Sequence, residues 1–407
     1  MNRPATLVCR LLLPLAAALA LLLAGGSAAA APTQTEQPAR STSVSDMTMK
    51  EQLGQLPVDP VERYWDDLMR QYGGYFPGTS PPGFMDMLLP GGEGWSLSAF
   101  LKGLLRYLFH EVLVNGKLLT SIVVLTVFGM MLETMQSAFE KKAVAKIAHT
   151  ISLMVIIVIA INSFHVAIDY AKSAIESMIH FMVAVVPLML TMLASTGNVT
   201  SAAVLHPLIV FMIHAVGTAV YTIVFPLFFF SAVLHIVSAL SERYKVTQLA
   251  SLLRSVGALL LGVLVTLFLG VITVRGATGA VADGVAIRTA KYIAGNFVPV
   301  VGTMFADATD TVISASLLVK NAIGLTGVII LILLCAFPAI KILTLALIYN
   351  FAAAVMQPLG DSPIVGCLQT VGKSMLYVFA ALAAVALMFF LAISIVIAAG
   401  NVSVMMR

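Results

Sequence analysis

The stretch from Ser177 to Ser241 reads SMIHFMVAVVPLMLTMLASTGNVTSAAVLHPLIVFMIHAVGTAVYTIVFPLFFFSAVLHIVSALS and contains no Asp, Glu, Lys or Arg. A transmembrane helix needs about 20 consecutive apolar residues, so this stretch is long enough for more than one crossing. The rest of the 407-residue chain continues the pattern, because 60% of its residues are hydrophobic and only 10% are charged. Soluble domains carry about 25% charged residues. The sequence therefore predicts an all-α, polytopic integral membrane protein.

The first 30 residues have the three parts of a secretory signal peptide. A short basic start with Arg3 and Arg10 precedes an apolar stretch from Leu11 to Leu23, and a run of small residues follows. The apolar stretch is too short to span about 30 Å of hydrocarbon comfortably. We predict cleavage after Ala30 and export of the residues that follow. An uncleaved signal anchor is the alternative.

Residues 31–94 are expected to form an exported, flexible region rich in Pro and Gly. A short helix is predicted within it from Asp59 to Met69, because Pro60 suits a first helical turn and two glycines follow at Gly73 and Gly74. From Gly73 to Gly94 the Pro and Gly residues recur too often for regular structure. A spacer is favoured for this segment over a strap that binds a partner.

Residues 95–114 predict an amphipathic helix. Apolar residues recur there at helical spacing, while Lys102, Arg106 and His110 share another face. With Trp95 beside it, such a helix is suited to the membrane interface, next to the first span. A soluble helix packed on its own domain is the alternative.

Residues 115–407 form the predicted transmembrane domain, with seven to nine crossings. Two apolar blocks, Val204–Leu240 and Leu317–Met356, are about twice the length that one span needs, and each carries a proline near its middle. Each is predicted to be two crossings or a broken helix pair, which gives nine crossings if both are split. The five clear single spans are Leu118–Gln136, Ile147–Phe164, Ser177–Ser195, Val256–Val274 and Met375–Ala399.

Basic residues between the spans predict the orientation. The short loop 140–146 contains three lysines, and positive charge marks the cytoplasmic side, in agreement with an exported N-terminus. The next basic loop, 242–254, is cytoplasmic only if Val204–Leu240 crosses twice, which favours a hairpin there. The same alternation places Gly276–Ser316 outside and Arg407 inside.

The stretch Gly276–Ser316 is too polar for a span and too apolar for a free loop, which is typical of a re-entrant or interfacial element shielded by protein. Asn296 lies within it. Asp307 and Asp310 are three residues apart, which on a helix puts both carboxylates on one face. Lys320 follows at the start of an apolar block, where it either neutralises one of them or snorkels to the interface. A site for a coupling ion or substrate is one interpretation, and a solvated helix face is the other.

Lys341 is the only formal charge between Lys320 and Asp361, with Asn350 further along the same block. In a single broken span it lies deep in the membrane and lines a wet path or meets a carboxylate. In a hairpin it lies at a cytoplasmic turn and obeys the positive-inside rule. The hairpin is favoured. Asn296, Asp307, Asp310, Lys320, Lys341 and Asn350 are the candidate conduit or assembly residues.

Several function classes are not supported by the sequence. The three cysteines are isolated, and His206 and His214 are eight residues apart, twice the useful spacing for chelation from one helix. No Gly-x-Ser-x-Gly, His-Glu-x-x-His or Walker-type Gly-rich loop occurs. There is no Lys/Arg-rich tract for nucleic acid. We predict no enzyme, no cofactor, no metal and no nucleic-acid partner.

Several long motifs resemble the stage III sporulation protein AE family of endospore-forming bacteria. They are AGNFVPVVG at 294–302, DATDTVISAS at 307–316, AFPAIK at 336–341, QPLG at 357–360, and the ending AGN at 399–401 with MMR at 405–407. The resemblance covers the membrane region and is strongest from 291 to 407. A signal peptide before a polytopic body fits the same family, whereas 32–94 matches no family pattern.

The resemblance implies a place in an assembly encoded with seven sibling proteins in the mother-cell membrane around the forespore. With stage II sporulation protein Q on the forespore side, that assembly forms a channel needed for late forespore gene expression. It includes a secretion-type ATPase, so this chain is expected to be a conduit or platform subunit without its own nucleotide site. A homo-oligomer is also expected. The family carries over no catalytic residues.

The alternative function is a stand-alone secondary transporter in which Asp307, Asp310 and Lys341 couple ions to a small solute. Such transporters are built from related halves with matching broken helices. Pro226 and Pro338 are only a faint sign of that pattern. The sequence therefore favours the channel or export subunit, and a scaffold that conducts nothing is a third class.

Overall fold

The computed structural model describes residues 58–76, 83–88, 97–138, 142–240, 246–297, 301–359 and 363–405. Within these ranges every regular element is helical, as the sequence predicts. The predicted signal peptide and its cleavage site lie outside the described residues. So do parts of the two basic loops, at 139–141 and 241–245.

Ten α-helices follow one another along the described chain. Short 3₁₀ turns lie at Gly73–Tyr75 and Gln357–Leu359, and a π-helical turn lies at Val220–Val224. The helices are α1 Asp59–Tyr72, α2 Phe84–Leu88, α3 Leu97–Val114, α4 Gly116–Ala138, α5 Lys142–Ser195, α6 Val199–Ala219, α7 Phe225–Leu240, α8 Thr247–Phe297, α9 Val301–Met356 and α10 Pro363–Met405.

Long, apolar helices dominate the structure. Five segments are long and apolar enough to cross a membrane: α5, α6 together with α7, α8, α9 and α10. A sixth candidate is the pair α3 and α4, which bends by 44° at its break. These counts refer to the described residues. The predicted nine crossings are therefore not confirmed. One cause is that two predicted spans, Ile147–Phe164 and Ser177–Ser195, belong to the single helix α5.

The two predicted hairpins are wrong. Leu317–Met356 lies entirely within α9, with Pro338 inside the helix. Val204–Leu240 follows one continuous helical path, in which Pro226 comes directly after the π-helical turn. A proline removes one backbone hydrogen bond and crowds the carbonyl four residues earlier, and a widened turn relieves that crowding. This block and α5 each lose one predicted crossing, so the alternation still places Gly276–Ser316 outside, but with α9 as a single crossing it no longer places Arg407 inside.

The helices pack as long antiparallel pairs. α5 turns back into α6 through Thr196–Asn198, where Gly197 has a φ of 86° that glycine adopts without strain. α9 turns back into α10, and α9 and α10 pack together and against α5 to form the centre of the bundle. At Gly324 the helices approach so closely that an added methyl group would lie 2.6 Å from Ile397 Cδ1.

The N-terminal segment lies on this bundle. α1 confirms the predicted helix and buries Val61, Trp65, Leu68 and Tyr72, while its other face is charged. Its tyrosine rings reach α5 and α9, with Tyr64 edge-on to Phe181 and Tyr72 stacked on Phe337. The expectation of no regular structure between Gly73 and Gly94 fails at α2, whose Phe84 and Leu88 are buried.

α3 confirms the predicted helix over 95–114. Its face around Gly103 and Tyr107 is buried, and its opposite face exposes Leu105, Phe109 and Leu113. An exposed apolar row agrees with the predicted position in the membrane interface, which stays a prediction.

Candidate functional site

Lys341 lies inside α9, far from either end of the helix, and is half-buried. It is therefore not at a cytoplasmic turn. Its ammonium Nζ lies 4.8 Å from the ring centroid of Tyr170 in α5. A cation over an aromatic ring is attracted to the negative face of the ring. This contact joins the middle of α9 to the middle of α5.

An aromatic cluster begins one turn before Lys341, at Phe337. Tyr72 stacks on Phe337 at a centroid distance of 3.7 Å, and Tyr107 meets the same ring edge-on at 5.0 Å. Tyr75 contacts Tyr107 in turn. The N-terminal segment, α3 and α9 therefore share one core.

Glu111 is the carboxylate of this cluster. It accepts hydrogen bonds from the Tyr107 hydroxyl and, at 3.2 Å, from Asn115 Nδ2. It acts electrostatically on Tyr72 and Tyr170 as well. Burial raises the pKa of Tyr72 to about 12, and the negative charge of Glu111 adds to the effect. Tyr72 consequently stays a neutral hydrogen-bond donor at any physiological pH.

Lys320 lies in a second place, near the other end of the apolar part of α9. Its side chain is fully buried, and Nζ donates a hydrogen bond of 2.9 Å to the carbonyl oxygen of Ile397 in α10. An ammonium in such surroundings is costly, and ionisable residues within membrane helices are candidates for function. Lys320 is therefore enclosed by protein and does not line an open path, and the two roles predicted for it stay predictions.

A third feature, which the sequence reasoning missed, is a row of polar residues on α5. We call it the polar face of α5. Its members are exposed and follow one another at spacings of three or four residues, which places them on one side of a helix. Over 18 residues the row is about 27 Å long. The polar face consists of Asn162, His165, Asp169, Ser173, Glu176 and His180.

The opposite side of α5 is apolar and packed. Ala167, Ala171 and Met178 are fully buried on the side that faces the bundle. Along the polar face, His165 Nε2 and Asp169 Oδ2 are 3.3 Å apart, and the two side chains are 62% and 53% exposed. An aspartate at the centre of a bilayer costs about 2.5–3.5 kcal/mol in insertion experiments. Direct contact of this face with lipid is therefore unfavourable.

Comparison with known proteins identifies the chain. The family model for stage III sporulation protein AE matches residues 80–400. The stage III sporulation protein AE of Bacillus subtilis (strain 168) is 49% identical over 391 residues, which cover 96% of this chain and 98% of the relative. The chain belongs to the stage III sporulation protein AE family. No solved structure matches it.

The region that the AE family model matches contains all six predicted conduit or assembly residues and the whole polar face. The family name places the chain among the stage III sporulation proteins, and its apolar helices make it a membrane protein. The match supports a role in sporulation and points to no catalytic activity.

The six predicted residues do not form one site in this AE family member. Lys320 and Lys341 are 21 residues apart on the same helix, which separates them by about 31 Å. Asn350 lies further along, donates a hydrogen bond of 2.8 Å to the carbonyl of Ala346, and packs over Gly372.

Asn296 lies in the last turn of α8, and Asp307 and Asp310 lie near the start of α9. The two aspartates are therefore on one helix, as their spacing predicts. The contacts of these three side chains lie outside what the structure describes, so their roles stay predictions.

The polar face had a sequence signal. Residues 162–180 repeat polar side chains at helical spacing, without a Gly or Pro to end a helix. The sequence reasoning divided this part of the AE family chain into two spans and placed residues 165–176 between them. Testing the polar residues themselves for a period of 3.6 would have found the face.

Proposed function

We propose that this chain is a membrane component of a secretion-like channel complex that links mother cell and forespore. The complex supports late gene expression in the forespore. The observation that carries the proposal is the identity of 49%, almost end to end, with a stage III sporulation protein AE. Identity spread over both whole chains favours a shared role for the whole protein.

The chain acts in this complex as a conduit or platform subunit in the mother-cell membrane around the forespore, with its N-terminal region outside the cytoplasm. The energy comes from a partner, the secretion-type ATPase, because the sequence of this chain contains no Walker-type loop. Sibling stage III proteins are its direct partners, and stage II sporulation protein Q is an indirect one. The long apolar helices and the exposed polar face of α5 are features that support this role.

Capture from sporulating cells tests the proposal. An affinity-tagged full-length chain is produced from its own promoter, extracted in mild detergent, and the co-purifying proteins are identified by mass spectrometry. We expect sibling stage III membrane proteins and the ATPase to be enriched at least tenfold over a tagged, unrelated polytopic protein of the same membrane. Absence of all siblings at equal recovery of the bait would contradict the proposal.

The transporter alternative has its own measurement. The purified chain is reconstituted alone in liposomes, and uptake of small solutes is followed with and without a proton or sodium gradient. We expect no gradient-driven uptake. Gradient-driven uptake that the Lys341→Leu variant abolishes would contradict the role as a channel subunit and support the role as a transporter.

A further inference from the structure

The polar face of α5 is continued by a neighbouring helix. α6 crosses α5 at Gly217, where an added methyl group would lie 2.2 Å from Ile179 Cδ1. On the outward side of that crossing, α6 exposes His214 and Thr218, and the Thr218 hydroxyl lies 3.2 Å from the hydroxyl of Tyr221. Two neighbouring helices therefore expose polar side chains near this crossing.

α8, which packs on α6 and α7, exposes an apolar surface at the same height, and a chain of contacts fixes that height. The rings of Phe164 in α5 and Phe229 in α7 are 6.1 Å apart, and an added methyl on Gly257 in α8 would lie 2.7 Å from Phe228 Cε1. Gly257 is therefore level with Phe164.

α8 runs in the same direction as α5 from this level, because both run antiparallel to α7. The contacts Ile179–Gly217 and Phe164–Phe229 show that α5 runs antiparallel to α6 and α7. The contacts Gly257–Phe228 and Ala250–Ser231 show the same for α8 and α7. Residues 259–267 of α8 consequently lie at the height of the polar face. In this part of α8, Leu259 is 68% exposed and Leu267 is 59% exposed.

At one height, then, the bundle has an apolar side at α8 and a polar side at α5 and α6. A segment that projected into water on all sides would be polar all round, and one surrounded by lipid would be apolar all round. Polar side chains on one side of a membrane bundle face a water-filled cavity or the interior of an assembly.

We infer that the polar face of α5, together with His214 and Thr218 of α6, is the wall of an aqueous path, and that α8 faces lipid. The contents of the path are water and small hydrophilic solutes, since amide, hydroxyl and imidazole groups alternate along it with the carboxylates Asp169 and Glu176. The inference rests on the proposed function, because a conduit subunit needs a wet wall. It names the surface that supplies one.

Cysteine accessibility tests the inference. Single cysteines are placed at Ser173 and Glu176 on the polar face and, as controls of comparable exposure on α8, at Leu259 and Leu267, of which Leu267 is level with Ser173. Opened membrane vesicles from sporulating cells, which carry the full-length chain with its partners, are treated with a methanethiosulfonate that bears a quaternary ammonium group. The reagent attacks thiolates and stays in water. The background chain carries the changes Cys9→Ala, Cys335→Ala and Cys367→Ala.

We expect Ser173→Cys and Glu176→Cys to react at least tenfold faster than Leu259→Cys and Leu267→Cys. Equal, slow reaction at all four positions would overturn the inference, because the polar face would then be dry. Equal, fast reaction would also overturn it, because the whole level would then lie in water. Ser173→Cys changes one atom, so its comparison with Leu267→Cys, at the same height, decides the matter even if the glutamate variant fails to insert.

The unaltered chain offers a second measurement that needs no cysteine. Hydroxyl radicals made from water by a short X-ray pulse oxidise side chains that water touches, and we expect oxidation at His180 and none at Leu259. Neither readout depends on the capture experiment. If siblings are not captured but the contrast holds, the proposed function falls and the wet face stands. If siblings are captured and the contrast is missing, only the wet face falls.

Discussion

Replacing Tyr72 with alanine releases α1 from the bundle. Tyr72 is 8% exposed, stacks on Phe337 at 3.7 Å and meets Tyr107 edge-on at 5.6 Å. It is the last residue of α1, and its ring connects this helix to both α3 and α9. Tyr64 of α1 also lies edge-on to Phe181 of α5.

The size of the effect follows from these contacts. Truncating a buried aromatic residue to alanine costs about 3–5 kcal/mol, which includes the two ring contacts. Because every 1.4 kcal/mol is a factor of ten, the released fraction of α1 rises by about two to three and a half orders of magnitude. Tyr72→Phe keeps the ring, so we expect it to change the released fraction by less than about tenfold.

Limited proteolysis in detergent measures the released fraction. Trypsin cuts after Arg63 and Arg70 only when α1 leaves the bundle and unwinds, so the cleavage rate follows the released population. We expect Tyr72→Ala to be cut at least a hundredfold faster at these sites, with the bundle helices still protected. The same rate in Tyr72→Ala and the unaltered chain would refute the reasoning. Faster cutting throughout the bundle would refute it as well, because Tyr72 would then hold the whole fold.

Three further predictions concern the bundle and its cover. Lys320→Met is expected to keep or raise the melting temperature in detergent, because it removes a buried charge and keeps similar volume. Gly372→Ala is expected to destabilise by about 1–3 kcal/mol, because the new methyl group would lie 2.8 Å from the amide of Asn350; adding Asn350→Ala restores the melting temperature. The contact made by Tyr72 is expected to be complete below pH 10 and lost as pH rises toward 12, since its pKa is raised from 10 to about 12; the emission of buried Trp65 then shifts to longer wavelength.

Each of these has a clear contrary result. A large fall in melting temperature for Lys320→Met would contradict this, because the interactions of the ammonium would then stabilise the fold by more than its desolvation costs. Failure of Asn350→Ala to rescue Gly372→Ala would place the strain elsewhere. An alkaline shift of the Trp65 emission that is unchanged in Tyr72→Phe would assign the titration to another group.

The class of fold follows from composition, because long runs without charge leave no other use for so many apolar residues. Local signals also worked where they were strong: Pro60 at the start and Gly73 after the end fix α1. The hairpins predicted from the two mid-block prolines are wrong. Pro338 and Pro226 predict breaks from their local effect alone, but the helical path continues through both of them.

The candidate site was predictable only in part. The isolation of Lys341 in an apolar block marked it correctly as worth attention, yet its partner Tyr170 lies 171 residues earlier in the chain, and no local pattern connects the two. The burial of Lys320 was equally hidden, because the helix that covers it, α10, is 77 residues away at the point of contact. Pairings of this kind are decided by the packing of whole helices.

The length of the helices gives an independent reason for a wet surface. The apolar part of α5 has 46 residues and is therefore about 69 Å long, against a hydrocarbon thickness of about 30 Å. Fitting it entirely into hydrocarbon would need a tilt of roughly 64°, whereas membrane helices tilt by about 0–40°. Part of α5 must therefore lie against something other than lipid. The polar face occupies the middle of the helix, where Asp169 and Glu176 would otherwise meet hydrocarbon. The length shows that some of α5 lies outside hydrocarbon, and the two carboxylates of the polar face are the reason to expect residues 162–180 among that part.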